Sequence, residues 1–485
     1  MDSSRHKSNA NSYRLHFIKF VHWLITVGIF GVFWLVFHYP KLNLHITRAF
    51  RYDIFIILAY SLLLSWFNKT FNSYTIGYFR VRSLAFSQTL ADFFSLVIVY
   101  LLVSLAWLRF RSPFMYIPML VIQIGWNVLW SYYATYLYFK IVQRYHTVVV
   151  YRSRRDLVRF GDISGKPIER LFNVEKYIQY NGEDFFEIKD QLEGYDALFG
   201  AGVNPTLMNA LCKYCVDKDV RGFFLPHIGD IIMFGAEHIK SFTTPVLSVR
   251  RFSKSLEYLA VKRCFDFAVS AIALVFLSPL MLLTAILIKV YDRGPVFYKQ
   301  VRLTKDGKEF KIIKFRSMRT DAEKDGVARL STGDKDPRIT PVGRFIRACR
   351  LDELPQLINI LKGDMSIVGP RPERPEIAAE YEKVLPEFRL RLQVKAGLTG
   401  YAQVYGKYNT NPYEKLEFDL LYINQMNIVT DLELMFNTFR ILFSKESTEG
   451  VENATAWIGE EDEGENNNEN KKTEEILHAS AHIPS

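Results

Sequence analysis

Cysteine is scarce in this chain, which contains four in 485 residues. Cys212 and Cys215 have the spacing of a redox or metal-binding pair, but no second pair accompanies them. We therefore interpret these two, and also Cys264 and Cys349, as buried thiols. Reduced cysteines agree with a cytoplasmic location for the soluble part of the chain.

Signals of nucleic-acid binding are also missing, since the sequence has neither a basic helix nor a zinc-ligand set. The net charge of +10 is instead suited to an anionic lipid surface and to anionic substrates. No nucleic-acid partner is expected.

Apolar stretches, by contrast, are long and frequent. Apolar residues make up 49% of the chain and aromatic residues 15%, which is high for a soluble protein. Four stretches are predicted to be transmembrane helices: Phe17 to His38, Asp53 to Phe67, Leu84 to Leu108 and Phe114 to Phe139. The second is short for the roughly 20 residues of a span. The first is predicted to remain as an anchor, because no small-residue cleavage site follows it.

Basic residues near these stretches predict the orientation. They are concentrated in the N-terminus, in the second loop and in the segment that leaves the fourth stretch. The positive-inside rule therefore places the N-terminus and everything after Tyr145 in the cytoplasm. Asp92 and Gln123 lie inside predicted helices, and we interpret them as polar contacts between helices rather than as functional sites.

Residues 145–250 have a soluble composition in which strands alternate with helices. The predicted elements are strands at His146 to Tyr151, Ala197 to Phe199 and Gly222 to Leu225 and a helix at Leu207 to Val216. This alternation predicts an α/β layer. The glycine fingerprint of dinucleotide binding is absent after the first strand, so we interpret the domain as structural or regulatory.

A further apolar run, Phe267 to Ile288, is long enough to cross a bilayer. At its middle, Pro279 removes a backbone hydrogen bond and bends the helix, while the hydroxyl of Ser278 can satisfy a freed carbonyl. The pattern favours a re-entrant helix over residues 265–290 that enters and leaves the membrane by one face. Lys262 and Arg263 would then lie at the lipid headgroups. A plain fifth transmembrane helix is the alternative.

The adjacent acids Asp352 and Glu353 are the main chemical signal. Apolar residues follow at helical spacing until Gly363, and Pro355 is tolerated only in a first helical turn. Both carboxylates are therefore predicted at the amino end of a short helix, where the dipole stabilises anions. With arginines nearby, the pair suits a divalent metal and a phosphate chain. For the pair alone, a capping aspartate beside a solvated glutamate is the alternative.

Basic residues in other segments point to the same chemistry. Arg371 lies between Pro370 and Pro372, which give its guanidinium a stiff mount for a bidentate phosphate contact. Lys314 and Arg316 share one face of a predicted strand, and such a basic face can line a phosphate site.

Ordered motifs connect residues 262–442 to a known family. They are Lys262-Arg263, Gly294-Pro295-Val296-Phe297, Gln300 with Arg302, Lys314-Phe315-Arg316-Ser317-Met318, Asp336-Pro337-Arg338, Asp352-Glu353-Leu354-Pro355-Gln356, Gly369-Pro370-Arg371-Pro372 and Gly397-Leu398-Thr399-Gly400. This region resembles the catalytic domain of the bacterial polyprenyl-phosphate sugar-1-phosphate transferases, in the large form that has N-terminal transmembrane helices. The longer stretch Gly397 to Gly406 resembles the closing motif of the family but departs from it at Tyr401 and Tyr405, where tryptophan and asparagine are common.

The resemblance implies a reaction and its machinery. A UDP-sugar would donate its hexose-1-phosphate to undecaprenyl phosphate and release UMP, as the first membrane step of capsule, exopolysaccharide or O-antigen synthesis. Asp352 would be the nucleophile that forms a covalent phosphosugar intermediate, and Glu353 would hold Mg²⁺ with it or position it. The implied phosphate-binding residues are Lys314, Arg316, Arg371, Arg302, Arg338 and Arg344. For the last three, a structural pair with an acid is the alternative. Glucose or galactose is the expected hexose, although the shared motifs do not specify it.

The expected fold class is a multi-domain membrane protein of the bacterial inner membrane. Its predicted parts are an N-terminal four-helix transmembrane bundle (1–144), a central α/β Rossmann-like domain of nucleotide-binding type (145–250), a cytoplasmic monotopic α/β catalytic domain with the re-entrant helix (251–446) and an acidic disordered tail (447–485). A homodimer is expected by analogy only. The functional alternatives are a metal-dependent glycosyltransferase or lipid-diphosphate hydrolase and a non-catalytic polysaccharide-assembly scaffold.

Overall fold

The protein divides into two compact units, one ending at Leu225 and the other beginning at Pro226. The computed structural model describes residues 2–38, 46–108, 110, 112–153, 156–157, 171–239, 244–252, 254–320, 322, 336–406 and 411–442. The predicted tail, 447–485, lies outside these residues. The boundary between the units falls before the predicted one at 250, because residues of the intervening segment pack with the second unit.

Four long helices form the first part of the N-terminal unit. They are α1 (Asp2–His38), α2 (Ile46–Thr70), α3 (Val81–Ala106) and α4 (Ile117–Ile141). Each packs against two others, through the pairs α1–α2, α2–α3, α3–α4 and α1–α4. Helices therefore occupy all four apolar stretches that the sequence predicts.

Three helices of the described residues are long and apolar enough to cross a membrane: Tyr13–Val36 within α1, Val81–Ala106, and Leu256–Tyr291 in the second unit. These helices support the general conclusion that this is a membrane protein. The crossing of the bilayer by α2 and α4, and hence the four-span count, stays a prediction.

Polar side chains are buried between the four helices and bond to one another. Asn127 donates to the Asp92 carboxylate across 2.6 Å, and its Oδ1 lies 3.0 Å from Nε2 of His22. Gln123 donates to the Tyr60 hydroxyl across 2.9 Å. The interpretation of Asp92 and Gln123 as contacts between helices agrees with this network.

A four-stranded parallel sheet completes the N-terminal unit. The strands β1 (Tyr145–Tyr151), β2 (Phe172–Gln179), β3 (Ala197–Ala201) and β4 (Arg221–Phe224) lie in the order β2-β1-β3-β4. Strand β1 contains three consecutive buried valines, as expected for a parallel strand that is covered on both faces. The sequence predicts the other three strands but not β2.

Two helices accompany the described part of this sheet, α5 (Phe185–Lys189) and α6 (Pro205–Lys218). Asn204 caps α6, since its side-chain oxygen accepts the Leu207 amide at 2.7 Å while proline occupies the first helical position. The α/β layer is confirmed, whereas its Rossmann-like type and any nucleotide binding stay predictions.

The cysteine interpretation is wrong in part. Cys215 is buried, but Cys212, Cys264 and Cys349 are exposed. On α6 the reason is helical geometry, because Cys215 lies in the buried stripe and Cys212 lies outside it.

The second unit begins with α7 (Ile228–Phe234) and the antiparallel hairpin of β5 (Glu237–Ile239) and β6 (Val246–Ser248). Ile231 of α7 belongs to the main hydrophobic core of the unit. Its carbonyl accepts the Asn424 side-chain amide at 2.6 Å. These contacts tie residues before 250 to the predicted catalytic domain.

The long helix α8 (Leu256–Asp292) is continuous and contains Pro279. The Ser278 hydroxyl donates to the Val275 carbonyl at 2.8 Å. In a regular helix this carbonyl would accept the amide of residue 279, but Pro279 has no amide hydrogen to donate. The predicted hydrogen bond from the serine hydroxyl to the carbonyl left without a partner is therefore present. Apolar side chains along the helix are widely exposed, including Val275 at 72% and Phe276 at 79%.

Both ends of α8 pack on the same folded unit. Near the start, Lys262 Nζ lies 2.5 Å from Asp431, and near the end Ile288 packs with Phe315 and Ile346. This arrangement supports a helix that enters and leaves the membrane by one face. The re-entrant topology itself stays a prediction.

The remaining elements enclose the core of the second unit. The antiparallel strands are β7 (Phe297–Leu303) and β8 (Glu309–Phe315), and the parallel strands are β9 (Ser366–Val368) and β10 (Gly397–Thr399). The helices are α9 (Pro341–Ala348), α10 (Gln356–Lys362), α11 (Pro375–Val384), α12 (Tyr401–Val404), α13 (Pro412–Gln425) and α14 (Ile428–Leu442). Strand β8 and helix α10 together support the candidate site.

Candidate active site

The acid pair lies in a single 3₁₀ turn, Leu351–Glu353, directly before α10. Arg350 enters the turn in the left-handed conformation with φ of 55°, and Gly363 ends α10 with φ of 94°. The predicted helix end at Gly363 is confirmed. The acids precede the α-helix instead of lying in its first turn, because the backbone around Pro355 starts the α-helix only at Gln356.

Helix α10 is fixed against strand β8 by one buried asparagine. Asn359 donates to the Lys311 carbonyl at 2.9 Å and accepts the Ile313 amide at 3.0 Å, so it bonds to the strand like another backbone segment. Arg263 of α8 donates to the carbonyls of Ile360 and Leu361 at 2.6 and 2.7 Å. Such contacts satisfy carbonyls that a helix end leaves without a partner.

The Glu353 carboxylate is the point where two of the predicted basic residues, Lys314 and Arg371, meet. Its Oε1 lies 2.9 Å from NH2 of Arg371 and 3.3 Å from Nζ of Lys314, and only 12% of its side chain is exposed. Burial disfavours the charged acid, but the positive charges of Arg371, Lys314 and Arg350 outweigh burial and hold the pKa of Glu353 below its usual range. Glu353 is therefore ionised.

Asp352 has the opposite environment. Burial and the neighbouring charge of Glu353 raise the pKa of the Asp352 carboxyl, while Lys314, Arg347 and Arg350 moderate the rise. A carboxylate that is desolvated and more basic than usual is a better nucleophile than a solvated one. Two adjacent acids with different electrostatic settings can thus take different chemical roles.

Arg316 packs closely against the Gly294 backbone. A Cβ atom added at Gly294 would lie 2.1 Å from NH1 of Arg316, so the glycine makes room for the guanidinium. The Arg316 amide donates to the Val296 carbonyl at 2.9 Å. These contacts give a physical reason for the glycine in the Gly294-Pro295 motif.

Three of the predicted phosphate-binding residues, Arg302, Arg338 and Arg344, have surroundings that differ from those of Lys314 and Arg371. Arg302 donates to the Pro372 carbonyl at 3.1 Å and to Gln300 at 2.7 Å, and burial lowers its pKa to about 10. Arg338 forms a bidentate pair with the buried Asp336, at 2.9 and 2.7 Å. Arg344 is exposed on α9. A role in phosphate binding stays a prediction for all three.

The membrane-interface candidates also have partners inside the unit. Lys262 is 8% exposed and pairs with Asp431, whose other oxygen lies 2.8 Å from the Tyr422 hydroxyl. Lys262 is therefore turned into the domain, although the sequence analysis expected it at lipid headgroups. The Asp431 carboxylate thus joins Lys262 of α8 to Tyr422 of α13, which is a structural contact.

Sequence reasoning missed the network behind Arg371. Arg391 is 3% exposed; it donates to the Asp419 carboxylate at 2.8 Å and to the Arg371 carbonyl at 2.9 Å. Glu373, the residue after Pro372, lies among cationic side chains. Arg391 lies between Leu390 and Leu392 in the sequence, and this local pattern does not identify a partner.

A magnesium ion fits the pair only together with substrate. No cluster of three or more His, Cys, Asp or Glu side chains suited to a metal occurs in the described part of the chain. Mg²⁺ is commonly held by one or two carboxylates plus substrate phosphates. The carboxylates of Asp352 and Glu353 would be the protein ligands of such an ion, beside the substrate phosphates.

The fold and the site together define an enzyme-like domain with two acids beside a cluster of basic residues. The family model described as "Bacterial sugar transferase" matches residues 257–445. An exopolysaccharide production protein, PSS, of Rhizobium leguminosarum bv. phaseoli is 41% identical over 37% of this chain and 94% of its own length. The chain belongs to the bacterial sugar transferase family.

Longer relatives carry more specific names. The UDP-glucose:undecaprenyl-phosphate glucose-1-phosphate transferase of Escherichia coli K12 is 37% identical over 48% of this chain and 49% of its own. The UDP-N-acetylgalactosamine-undecaprenyl-phosphate N-acetylgalactosaminephosphotransferase of Aeromonas hydrophila is 40% identical over 39% of this chain and 44% of its own. The matches thus span about half the length of these relatives.

Proposed function

We propose that this protein transfers a hexose-1-phosphate from a UDP-sugar to undecaprenyl phosphate, giving undecaprenyl-diphosphate sugar and UMP. The observation that carries the proposal is the partly buried pair Asp352 and Glu353, with Lys314 and Arg371 bonded to the second acid. Relatives that match the catalytic region are named for this type of transfer. Their names differ in the sugar, so the identity of the hexose, glucose or galactose by our expectation, is part of the proposal.

In the first step, a carboxylate oxygen of Asp352 attacks the phosphorus that carries the sugar. The bond from this phosphorus to the bridging oxygen breaks, and UMP leaves with that oxygen. In the second step, a phosphate oxygen of the lipid attacks the same phosphorus and releases Asp352. Splitting the transfer in this way avoids having both large substrates react in one step.

The residues around Asp352 bind and neutralise the negative charge of the donor diphosphate in this proposal. Glu353 keeps Lys314 and Arg371 in place beside Asp352, and these cations can bind the diphosphate as negative charge develops on the leaving group. When bound, Mg²⁺ would neutralise the diphosphate, with Asp352 and Glu353 as its protein ligands. Arg316 remains our next candidate for phosphate binding.

The membrane position of the reaction belongs to the same proposal. The exposed apolar face of α8 supports contact with lipid, where a polyprenyl phosphate is found. We infer a multi-pass protein of the bacterial inner membrane with the acid pair at the cytoplasmic face, acting early in capsule, exopolysaccharide or O-antigen synthesis. A homodimer is an expectation by analogy.

Product analysis separates this proposal from its alternatives. Full-length protein in detergent, with Mg²⁺ and undecaprenyl phosphate, is given a panel of UDP-sugars. We expect release of UMP that requires the lipid, the metal and Asp352. A metal-dependent glycosyltransferase would release UDP instead, and a scaffold would release neither nucleotide.

The variants Asp352→Ala and Asp352→Asn test the nucleophile, and Glu380→Ala, an exposed acid of α11, is the matched control. We expect no UMP above background from either Asp352 variant and native rates from the control. Labelled phosphosugar should remain on the native protein, but not on Asp352→Asn, when the lipid is withheld. Normal turnover by Asp352→Asn would refute the covalent mechanism.

A further inference from the structure

We propose that Arg391 and Arg302 are positioning residues, which together hold the backbone of Arg371 and Pro372 so that the Arg371 guanidinium meets Glu353. The inference rests on the proposed function, in which Arg371 binds the donor diphosphate. In this role both arginines act through the Arg371 segment, and the phosphate contact predicted for Arg302 is a separate matter.

Arg391 contacts the backbone directly. Its NH2 donates to the Arg371 carbonyl at 2.9 Å, and its Nε donates to the Asp419 carboxylate at 2.8 Å. The guanidinium carbon also lies 4.7 Å from the centre of the Phe388 ring. With 3% of the Arg391 side chain and 1% of the Asp419 side chain exposed, this arginine is fixed by contacts on several sides.

Arg302 holds the next carbonyl along the chain. Its NH1 donates to the Pro372 carbonyl at 3.1 Å, and its NH2 donates to Gln300 at 2.7 Å. The same strand, β7, makes one more hydrogen bond to this segment, because the Leu303 amide donates to the Glu373 carbonyl at 3.0 Å. Two successive carbonyls, those of Arg371 and Pro372, are thus each bound by an arginine.

Glu373 supplies the compensating charge. Its carboxylate lies 3.7 Å from NH1 of Arg391, 3.9 Å from NH1 of Arg302 and 3.9 Å from Nζ of Lys415. The two arginines can therefore remain close together in the interior, where unpaired like charges would repel each other.

As a consequence, the backbone from which the Arg371 side chain extends is held in one position. Pro370 and Pro372 restrict the backbone on both sides of Arg371, and the bound carbonyls prevent the peptide planes from rotating. The guanidinium then reaches Glu353 at 2.9 Å from a defined direction. Misplacement of a substrate-positioning group by about 1 Å can cost roughly a hundredfold in rate.

A double-mutant cycle in the full-length protein tests the inference. The paired variant Arg391→Met with Asp419→Leu removes both buried charges together, because removal of Arg391 alone would leave Asp419 unpaired. It is compared with Arg371→Ala and with the triple variant, using kcat and KM for UMP release. If Arg391 acts through Arg371, the paired variant lowers kcat about a hundredfold in the native background and has little further effect when Arg371 is absent.

Independent effects would overturn the proposal. If the losses multiply in the triple variant, or if the paired variant keeps kcat within about threefold of native, Arg391 does not act through Arg371. Arg302→Met provides the second cycle if the paired variant fails to fold, since Glu373 retains Arg391 and Lys415 as partners. Arg302→Lys should recover part of the loss, because one donor to the Pro372 carbonyl is restored.

Hydrogen–deuterium exchange gives a readout that does not need turnover. We expect faster exchange in residues 369–374 of the Arg302→Met variant and unchanged exchange in α9. Unchanged exchange in both segments would contradict the positioning role. If the native protein releases no UMP, the proposed function fails, and the exchange result alone then decides whether the two arginines hold this segment.

Discussion

The guanidinium of Arg371 and the carboxylate of Glu353 meet at 2.9 Å, with the acid largely buried and the arginine side chain 41% exposed. This contact joins two segments that are separate in sequence, the turn before α10 and the loop after β9. It places a cation that solvent and substrate can reach directly beside the acid pair. An exposed guanidinium fixed at one end by a buried acid is a suitable site for a phosphate group.

The first prediction concerns pH. Because cations lower the pKa of Glu353, this acid stays ionised at neutral pH, and its contribution to activity is lost only as pH falls through the low folded-state pKa. Arg371→Ala removes one of these cations while burial remains, so the pKa of Glu353 should rise. Asp352, whose pKa is raised and which must be ionised to attack, sets the acidic limb of the pH–activity profile. We therefore expect this limb to stay in place in Arg371→Ala, while kcat at neutral pH falls about a hundredfold.

Arg389→Ala is the control for this measurement, since Arg389 is an exposed arginine of the same unit. Its profile should overlay that of the native protein. An Arg371→Ala profile whose acidic limb moves to higher pH would mean that Glu353, and not Asp352, limits activity on that side.

The second prediction concerns Gly294. In Gly294→Ala the new methyl group would meet the Arg316 guanidinium, which is the far end of a flexible side chain and can move away. Stability should therefore change little, while UMP release should fall about tenfold if Arg316 binds phosphate. Gly229→Ala, where a Cβ meets nothing within 4 Å, should leave both thermal unfolding and activity unchanged. Native activity in Gly294→Ala would remove Arg316 from the site.

Local patterns were sufficient to predict several of these features. The end of α10 at Gly363 and the bond from Ser278 to the Val275 carbonyl depend on residues within one helical turn. Lys314 could be assigned to a strand for the same reason, although the strand ends at Phe315 and so does not include Arg316 as predicted. Alternation along β8 places Lys314 on one face with the buried Phe310 and Ile312, and this face is directed toward Glu353.

Contacts between distant segments could not be predicted in this way. Lys262 pairs with Asp431, 169 residues away, and Arg302 donates to a carbonyl 70 residues away. A motif arginine or lysine has the same appearance in sequence whether it binds substrate or a buried acid. Only the fold distinguishes Arg371, which is partly exposed, from Arg391, which is enclosed.

The third prediction concerns the buried pair of Lys262 and Asp431. Lys262→Met leaves the Asp431 carboxylate buried without its cation, which should cost about 3–5 kcal/mol in the free energy of unfolding. The double variant with Asp431→Leu should recover most of this loss, because neither charge then remains. Thermal unfolding in detergent measures both effects. An unchanged midpoint for Lys262→Met would indicate that Lys262 is hydrated at the lipid headgroups instead.

The fourth prediction concerns the topology of α8. A helix whose two ends pack on one folded unit cannot place those ends on opposite sides of a bilayer, so residues after α8 should be cytoplasmic. Lys299→Cys, at an exposed position of β7, reports this side when the four native cysteines are replaced. An impermeant maleimide should label it in inverted vesicles but not in intact spheroplasts.

Val216→Cys, at an exposed position of α6 in the N-terminal unit, provides the reference in the same background. Both positions should be labelled from the same side if α8 is re-entrant, because the chain then returns to the face from which it entered. Labelling of the two positions from opposite sides would make α8 a crossing helix. It would also place Asp352 on the face where cytoplasmic nucleotide sugars are absent, so the same experiment constrains the proposed donor.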